Sequence, residues 1–329
     1  MGDLLEVAKV LVEPTMKLMD MVGGAIGTAY EPRHKRKMAD ATAYEISVIG
    51  EAMRNTADMP VVYNQEGVAI NSEDFSRLMQ RAGTRLVLQE TIKQHNIESV
   101  IDHAYDILEK EDACSEEPVE QGWINRFFDS VADISDEDLQ MLWGKVLAGE
   151  VKRPKSYSLR TLETLKNLSK YEAELFEKIV PYVMNMGGNL FLPSNNELLQ
   201  KYGVAYGEII NLDECGLINS GAFVSLNPVI SNKEPLPIHN SSKLMLVHGV
   251  ESSETKISVG EYGLTKAGEE MYNILNVVPN DDYFHEFAEE IANKNSKKVK
   301  VSVHQINSID NGIINYSKTV LNEFPTESK

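Results

Sequence analysis

The fold is decided by the stretch Ser135-Asp-Glu-Asp-Leu-Gln-Met-Leu-Trp-Gly-Lys-Val-Leu-Ala-Gly-Glu150 and by Pro154-Lys-Ser-Tyr-Ser-Leu-Arg-Thr-Leu-Glu163, which follows it. Apolar residues recur in both segments at spacings of three and four, the period of a helix that is buried on one side. Ser135 and Asp138 predict a capping pair at the start of the first helix, and Ser158 predicts the start of the second. The stretch therefore predicts two amphipathic helices joined by a turn at Pro154.

Helical periodicity extends upstream of this stretch. Residues 71–74 predict a helix start with acidic residues in its first turn, and apolar series follow at 75–86 and 97–108. Asn96 either caps a break between two helices or lies inside one long helix, and the sequence leaves both open. Beyond an acidic linker, aromatic residues at 123–128 fall on one face of a further helix. This part of the chain predicts a helical bundle.

The amino-terminal segment, residues 3–30, also has a helical period, and Pro14 predicts the first turn of a short helix. A basic cluster follows, made of Arg33, His34, Lys35, Arg36 and Lys37. Beside an amphipathic segment it is a candidate contact for an anion or an anionic membrane surface, where each basic residue is worth about 1 kcal/mol. We favour the simpler interpretation, a solvated helix start whose amphipathic neighbour packs in the bundle.

The pattern changes downstream of a clean capping box formed by Ser169 and Glu172. Short helices are predicted at 195–202 and 205–215 and a last one ending near residue 275, with strands at 222–226, 243–248 and 256–259. This order is that of a winged helix, and the phrases at 212–218 and 263–268 resemble those of many winged-helix domains. Residues 281–293 predict an acidic helix, and 299–304 alternate as a strand does.

We therefore predict a mainly α fold, in which a helical bundle precedes a winged-helix domain and a small α/β carboxyl-terminal tail. The predicted boundaries are an amino-terminal amphipathic and basic helical segment at 1–60, the bundle at 71–168, the winged helix at 169–279 and the tail at 280–329.

Composition restricts the partners and the compartment. Acidic residues outnumber basic ones, 50 to 32, for a net charge of −18, which repels nucleic acid unless basic residues are gathered in one place. Two distant cysteines give no disulfide framework. The amino terminus has no secretion signal, and no apolar run is long enough to span a bilayer. These features predict a cytoplasmic protein.

The second helix of the predicted helix-turn-helix carries acidic residues and neither Arg nor Lys. A helix that reads DNA needs Arg, Lys, Asn or Gln toward base edges and basic residues toward phosphates. We therefore interpret it as a partner-binding helix, and we favour protein over nucleic acid as its partner. Its candidate contact residues are Tyr206, Glu208, Asn211, Asp213 and Glu214.

Motifs for chemistry are weak. Asp282, His285 and Glu289 have a spacing on a helix that suits a metal ion, but they lack a second set of ligands and fit a solvated acidic helix better. No phosphate-binding loop and no nucleophile motif is present. The sequence predicts no catalytic residue, no metal and no cofactor, although it leaves open a hydrolase site assembled from distant residues.

Three motifs occur in order along the chain: Asn96-Ile-Glu-Ser-Val-Ile101, Trp123-Ile-Asn-Arg-Phe-Phe128 and the segment 143–163. They resemble a bacterial family of unknown function, the DUF2806 type, over roughly residues 30–180. The leucine- and tryptophan-rich pattern at 139–147, with 165–176, is also similar to alpha-type abortive-infection proteins, which are mostly helical and linked to resistance to phage. Neither resemblance implies catalytic residues.

The resemblances imply a non-enzymatic component of anti-phage defence that acts through protein contacts, with another protein or with a second copy as a homo-oligomer. A winged-helix regulator that binds nucleic acid is the alternative from another class. A further variant is an effector directed to the inner face of the membrane by the amino-terminal segment, as a peripheral contact.

Overall fold

The computed structural model describes residues 11–26, 72–193, 196–220, 227–250, 255–260, 262–295, 298–310 and 312–325. The chain divides into two compact units, Met1–Leu162 and Glu163–Lys329. The basic cluster at 33–37, most of the segment predicted at 1–60 and the strand predicted at 222–226 lie outside the described residues.

The described part of the first unit is helical. Its elements are α1 (Pro14–Ile26), α2 (Ser72–Leu108), α3 (Gln121–Val131), α4 (Glu137–Lys152) and a small antiparallel pair of strands, β1 (Leu11–Val12) and β2 (Cys114–Ser115). Helix α5 (Leu159–Lys166) spans the boundary between the units. Pro14 begins a helix as predicted.

Helix α2 runs without a break through Asn96, so of the two possibilities that the sequence left open, a helix cap at Asn96 is excluded and one long helix is found. The buried Asn96 amide donates to the carbonyl of Ala132 at 2.8 Å, and its oxygen accepts from Gln140 at 3.3 Å. Asn96 is therefore a packing residue inside the helix. The cap predicted at Ser135 is wrong by one position, since the Asp136 side chain accepts from the first-turn amides of α4.

The core of the first unit is built on aromatic residues from α3 and α4. Phe127 stacks on Trp123 at a centroid distance of 5.0 Å and meets the edge of Trp143 at 5.4 Å. The Trp123 indole N–H donates to the carbonyl of Tyr157 at 2.9 Å, which satisfies its one polar group. Helices α2 and α4 approach closely at Gly144, where an added Cβ would lie 2.5 Å from the Cβ of His103.

Lys17 ties α1 to two other segments of the first unit. Its ammonium donates to the carbonyls of Ser115 and Glu117, each at 2.7 Å, and to that of Val151 at 2.8 Å. Burial lowers the pKa of Lys17, against the attraction of nearby acidic groups. The carbonyl cage thus replaces water around this charge.

The second unit combines helices with a large sheet. Its helices are α6 (Lys170–Ile179), α7 (Asn196–Lys201), α8 (Tyr206–Glu214), α9 (Lys266–Tyr272) and α10 (Asp281–Lys294). Its strands are β3 (Met184–Met186), β4 (Asn189–Leu192), β5 (Ile218–Asn219), β6 (Val229–Ile230), β7 (Leu236–His239), β8 (Lys243–Gly249), β9 (Thr255–Lys256), β10 (Tyr262–Leu264), β11 (Val299–Asp310) and β12 (Ile313–Phe324). The capping box predicted at Ser169 and Glu172 is confirmed at the start of α6.

Eight of these strands form one antiparallel sheet in the order β12-β11-β8-β7-β3-β4-β10-β5. The described residues are about 51% helical and 22% strand, so the prediction of a mainly α fold with a winged-helix domain and a separate tail is wrong. The physical reason is that β8 pairs with β7 on one edge and β11 on the other. Segments predicted to belong to two domains therefore share one sheet.

Two hairpins were not predicted from the sequence, although the residues between their strands are typical of tight turns. Gly187 and Gly188 both have positive φ, 60° and 90°, and they connect β3 to β4. Gly312, with φ of 80°, precedes β12, and the sequence at this turn is Asn311-Gly312. Gly-Gly and Asn-Gly favour the two-residue turns that match the twist of antiparallel strands.

Candidate functional site

The predicted partner-binding residues lie on helix α8, and part of that face is engaged within the second unit. The Glu208 carboxylate pairs with Lys178 at 2.6 and 2.8 Å and accepts from the Ala205 backbone N–H at 2.8 Å. Burial would raise the pKa of Glu208, but the lysine and the backbone donor outweigh it and lower that pKa. Glu208 thus fixes the helix start.

The other residues of this set divide into engaged and exposed ones. Asp213 is half-buried and accepts from the backbone N–H and the hydroxyl of Ser220, so it fixes the chain directly after the end of strand β5. Asn211 is half-buried, whereas Tyr206 and Glu214 are exposed. The structure therefore brings the five residues onto one short helix.

The structure bears on metal binding and on membrane crossing only within the described residues. No group of three or more His, Cys, Asp or Glu side chains there could hold a metal ion. None of the described helices is both apolar and long enough to cross a bilayer. The basic residues at 33–37, predicted to contact an anion or a membrane, lie outside the described residues and remain a prediction.

Three tyrosines cluster where helix α10 begins, with Tyr283 buried and Tyr182 and Tyr202 half-buried. The Tyr283 ring meets Tyr182 at a centroid distance of 4.9 Å and Tyr202 at 5.3 Å. Burial, with the nearby Glu286 carboxylate, raises the pKa of Tyr202 to about 12, and burial raises that of Tyr283 further. The Tyr202 hydroxyl donates to Glu286 at 2.9 Å, and Lys201 pairs with the same carboxylate at 2.6 Å.

In the described part of the first unit, the amino-terminal half of helix α2, residues 77–95, is exposed, and we call it the α2 face. None of these residues is buried, whereas the carboxyl-terminal half buries Val100, Ile101, Ala104 and Leu108. Four large apolar side chains of the α2 face are 53–59% exposed: Leu78, Leu86, Leu88 and Ile92. The periodicity predicted a buried stripe here, and the structure leaves it open.

The α2 face is also basic, in contrast to the chain as a whole. Between residues 77 and 95 it carries four basic residues and one acidic residue, while residues 98–138 carry fourteen acidic and two basic ones. Arg77, Arg81 and Arg85 are spaced by four, about 6 Å apart along the helix axis and on one side of it. A shallow depression of about 420 Å³ lies against this side, and the residues that line it all belong to the helix, among them Arg81, Arg85, Leu88 and Ile92.

Sequence reasoning missed the α2 face because an apolar period looks the same whether a helix packs in its own core or awaits a partner. The available signal was the presence of Arg81 and Arg85 on the same side of the helix as Leu88 and Ile92, since a core stripe rarely carries two arginines. Chemically, the face offers guanidinium groups to carboxylates or phosphates and apolar surface to another protein.

Comparison with known proteins identifies the family. The model described as "Protein of unknown function (DUF2806)" matches residues 80–288, more than half of the chain. No curated protein and no solved structure matches, and the similarity to abortive-infection proteins stays a prediction. The matched region contains most of α2 and the sheet strands up to β10. On this match the chain belongs to the DUF2806 family of proteins of unknown function.

Proposed function

We propose that the chain is a non-enzymatic component of bacterial anti-phage defence that works in the cytoplasm through protein contacts, self-association among them. The defence role rests on the resemblance of residues 139–147 and 165–176 to alpha-type abortive-infection proteins. The role in binding another protein rests on one observation, the exposed apolar and basic α2 face.

The chemistry of the α2 face favours a protein partner. Leu88 and Ile92 are more than half exposed and lie one turn apart, so together they offer apolar surface that water does not stabilise. Arg81 and Arg85 lie on the same side of the helix, in the turns just before this pair, and their guanidinium groups suit carboxylates. The partner we expect is therefore an amphipathic protein surface with an apolar centre and acidic residues around it, the arrangement typical of a helix docked in a groove.

Phage plating on a host that expresses the chain tests this proposal. The wild-type chain should lower the plaque count, and the double substitution Leu88→Asp with Ile92→Asp should restore it. Leu86→Asp is the matched control, because Leu86 is equally exposed but lies about 200° around the helix from Leu88. An unchanged plaque count across a broad phage panel would contradict the defence role. Equal loss of protection in the two variants would contradict the assignment to this side of α2.

Nucleic acid is the second candidate partner, and the spacing of Arg77, Arg81 and Arg85 favours it. Three arginines on one side of a helix can contact successive phosphates, and such binding weakens steeply as salt rises. Leu88 and Ile92, which follow these arginines on the same side of the helix, do not suit a phosphate backbone, which is why we place this candidate second. A mobility-shift measurement at low salt separates the two, since a protein-binding face gives no shift with duplex DNA or RNA.

A further inference from the structure

Strand β12 is the outermost strand of the eight-stranded sheet, and no described strand pairs with its outer edge. It is 12 residues long, about 40 Å at the usual rise per residue. Of its residues only Phe324 is buried. The edge therefore presents a long row of backbone N–H and C=O groups together with side chains on both faces.

The hairpin of β11 and β12 also extends beyond the sheet. Strand β11 pairs with β8 as far as Gln305 opposite Lys243, after which its residues pair with β12 alone. The side chain of Ile309 on β11 and those of Ile313 and Tyr316 on β12 are exposed there. A two-stranded ribbon is marginally stable in water by itself, so exposed apolar residues on it indicate a surface that another strand covers.

Natural proteins usually blunt an exposed edge with charges or bulges. Here Lys318 is the one charged residue between Ile313 and Asn322. The register shifts lie near the middle of the hairpin, between Val303 and Ser308 of β11, and both ends of β12 keep regular pairing. The edge is therefore weakly protected by charge along most of its length, and the bulges interrupt its middle while its two ends stay regular.

We propose that the outer edge of β12 pairs in antiparallel fashion with β12 of a second copy, so that the two sheets continue across a two-fold axis. An antiparallel edge is complementary to itself about such an axis. Two chains of charge −18 repel each other, whereas residues 299–324 carry two basic and two acidic residues and are neutral, which places the contact where repulsion is smallest. Over a length of about 40 Å, the contact would need to bury about 20 Å² per ångström to match the roughly 800 Å² per partner of a stable interface.

This inference rests on the self-association in the proposed function and names the surface that carries it. Sedimentation equilibrium of the purified full chain tests it. The wild-type chain should give twice its mass of 36.8 kDa, and Leu321→Asp should raise the dissociation constant at least tenfold, because each copy would bring a charged carboxylate into the shared sheet, opposite Tyr316 of the second copy. Leu159→Asp is the matched control, with the same substitution at an exposed leucine of the first unit that lies outside both proposed contact surfaces. It should leave the dimer intact.

Ile313→Asp is the second variant, placed at the more exposed tip of the hairpin, where 67% of the side chain is accessible and folding is least affected. It should also weaken the dimer. A monomeric wild-type chain at every concentration would overturn the proposal, and so would equal masses for Ile313→Asp and Leu159→Asp. Sedimentation of the purified chain involves no phage, so the two proposals can fail separately. A chain that dimerises but does not lower the plaque count refutes the defence role alone. A monomeric chain that lowers the plaque count refutes this inference alone.

Discussion

Helix α2 in the first unit and the β11–β12 hairpin in the second are both long elements with one packed part and one exposed part. They differ in what the exposed part presents. The α2 face shows side chains only, because each of its backbone groups is satisfied inside the helix. The outer edge of β12 presents side chains together with backbone groups that pair with no described strand. The helix can therefore stay exposed until a partner with the right side chains arrives, whereas the strand edge accepts any strand, including its own copy.

The largest expected loss of stability comes from a substitution against the packed half of α2, and it tests how closely that half is packed. Gly144→Ala would place a Cβ 2.5 Å from the Cβ of His103 and 3.2 Å from the backbone nitrogen of Ala104. We expect the free energy of unfolding to fall by about 2 kcal/mol, despite a better helix propensity. Both tryptophans of the chain are in the first unit, so urea unfolding followed by tryptophan fluorescence measures it.

The control for that substitution is Gly122→Ala in helix α3, where the nearest atom to an added Cβ is the Glu120 Oε1 at 3.6 Å. This variant should keep or slightly raise the free energy of unfolding, by less than about 1 kcal/mol. Equal destabilisation by the two alanines would show that α2 and α4 do not cross closely at Gly144.

A smaller loss is expected at Asn96, where α2 passes from its exposed half to its packed half. Asn96→Ala removes the donor to the Ala132 carbonyl and the acceptor for Gln140, which leaves buried polar groups without partners and costs about 1.5 kcal/mol. Gln94→Ala is the control on the exposed half, where the amide donates to Glu98, and it should change the free energy by less than about 0.5 kcal/mol. Similar values would mean that the two halves do not differ.

The effect of alkaline pH probes the second unit. The pKa of Tyr202 rises from 10 to about 12 on folding, so the unfolded chain loses this proton more readily than the folded chain. The stability from Tyr202 is fully present below pH 10 and is lost as the pH rises toward 12. Tyr202→Phe should flatten the fall in thermal stability between these values, as measured by circular dichroism. An unchanged pH slope would contradict the tyrosine cluster.

The smallest effect is expected on the α2 face itself. Leu88→Asp should change the free energy of unfolding of the first unit by less than about 0.5 kcal/mol, because the side chain is 55% exposed and has no core to leave. Tryptophan fluorescence measures it under the same conditions as for Gly144→Ala. A loss above about 1 kcal/mol would show that Leu88 is part of the core, and the proposed contact role would fail.

Local signals predicted the helices of this protein well and the sheet poorly. Pro14 and the box of Ser169 with Glu172 lie beside the helices that they start, so their meaning is readable in the sequence. The pairing of β8 with β11 joins segments about fifty residues apart and leaves no local mark, which is why an eight-stranded sheet was taken for a winged helix and a tail.

The candidate surfaces were harder to predict than the fold. The acidic residues of α8 were found from the sequence, but Glu208 and Asp213 turn out to be engaged within the unit. The apolar series predicted at 75–86 was assigned to the helical bundle, because such a period carries no information on what covers it. Exposure becomes visible only once the rest of the first unit is in place.

Hydrogen exchange at several protein concentrations tests the central contrast most directly. The account predicts that amides of β12 gain protection as the concentration rises, because the strand edge pairs with a second copy, whereas amides of residues 77–95 exchange at the same rates throughout. Protection of β12 that does not depend on concentration, or a gain in protection confined to the α2 face, would contradict it.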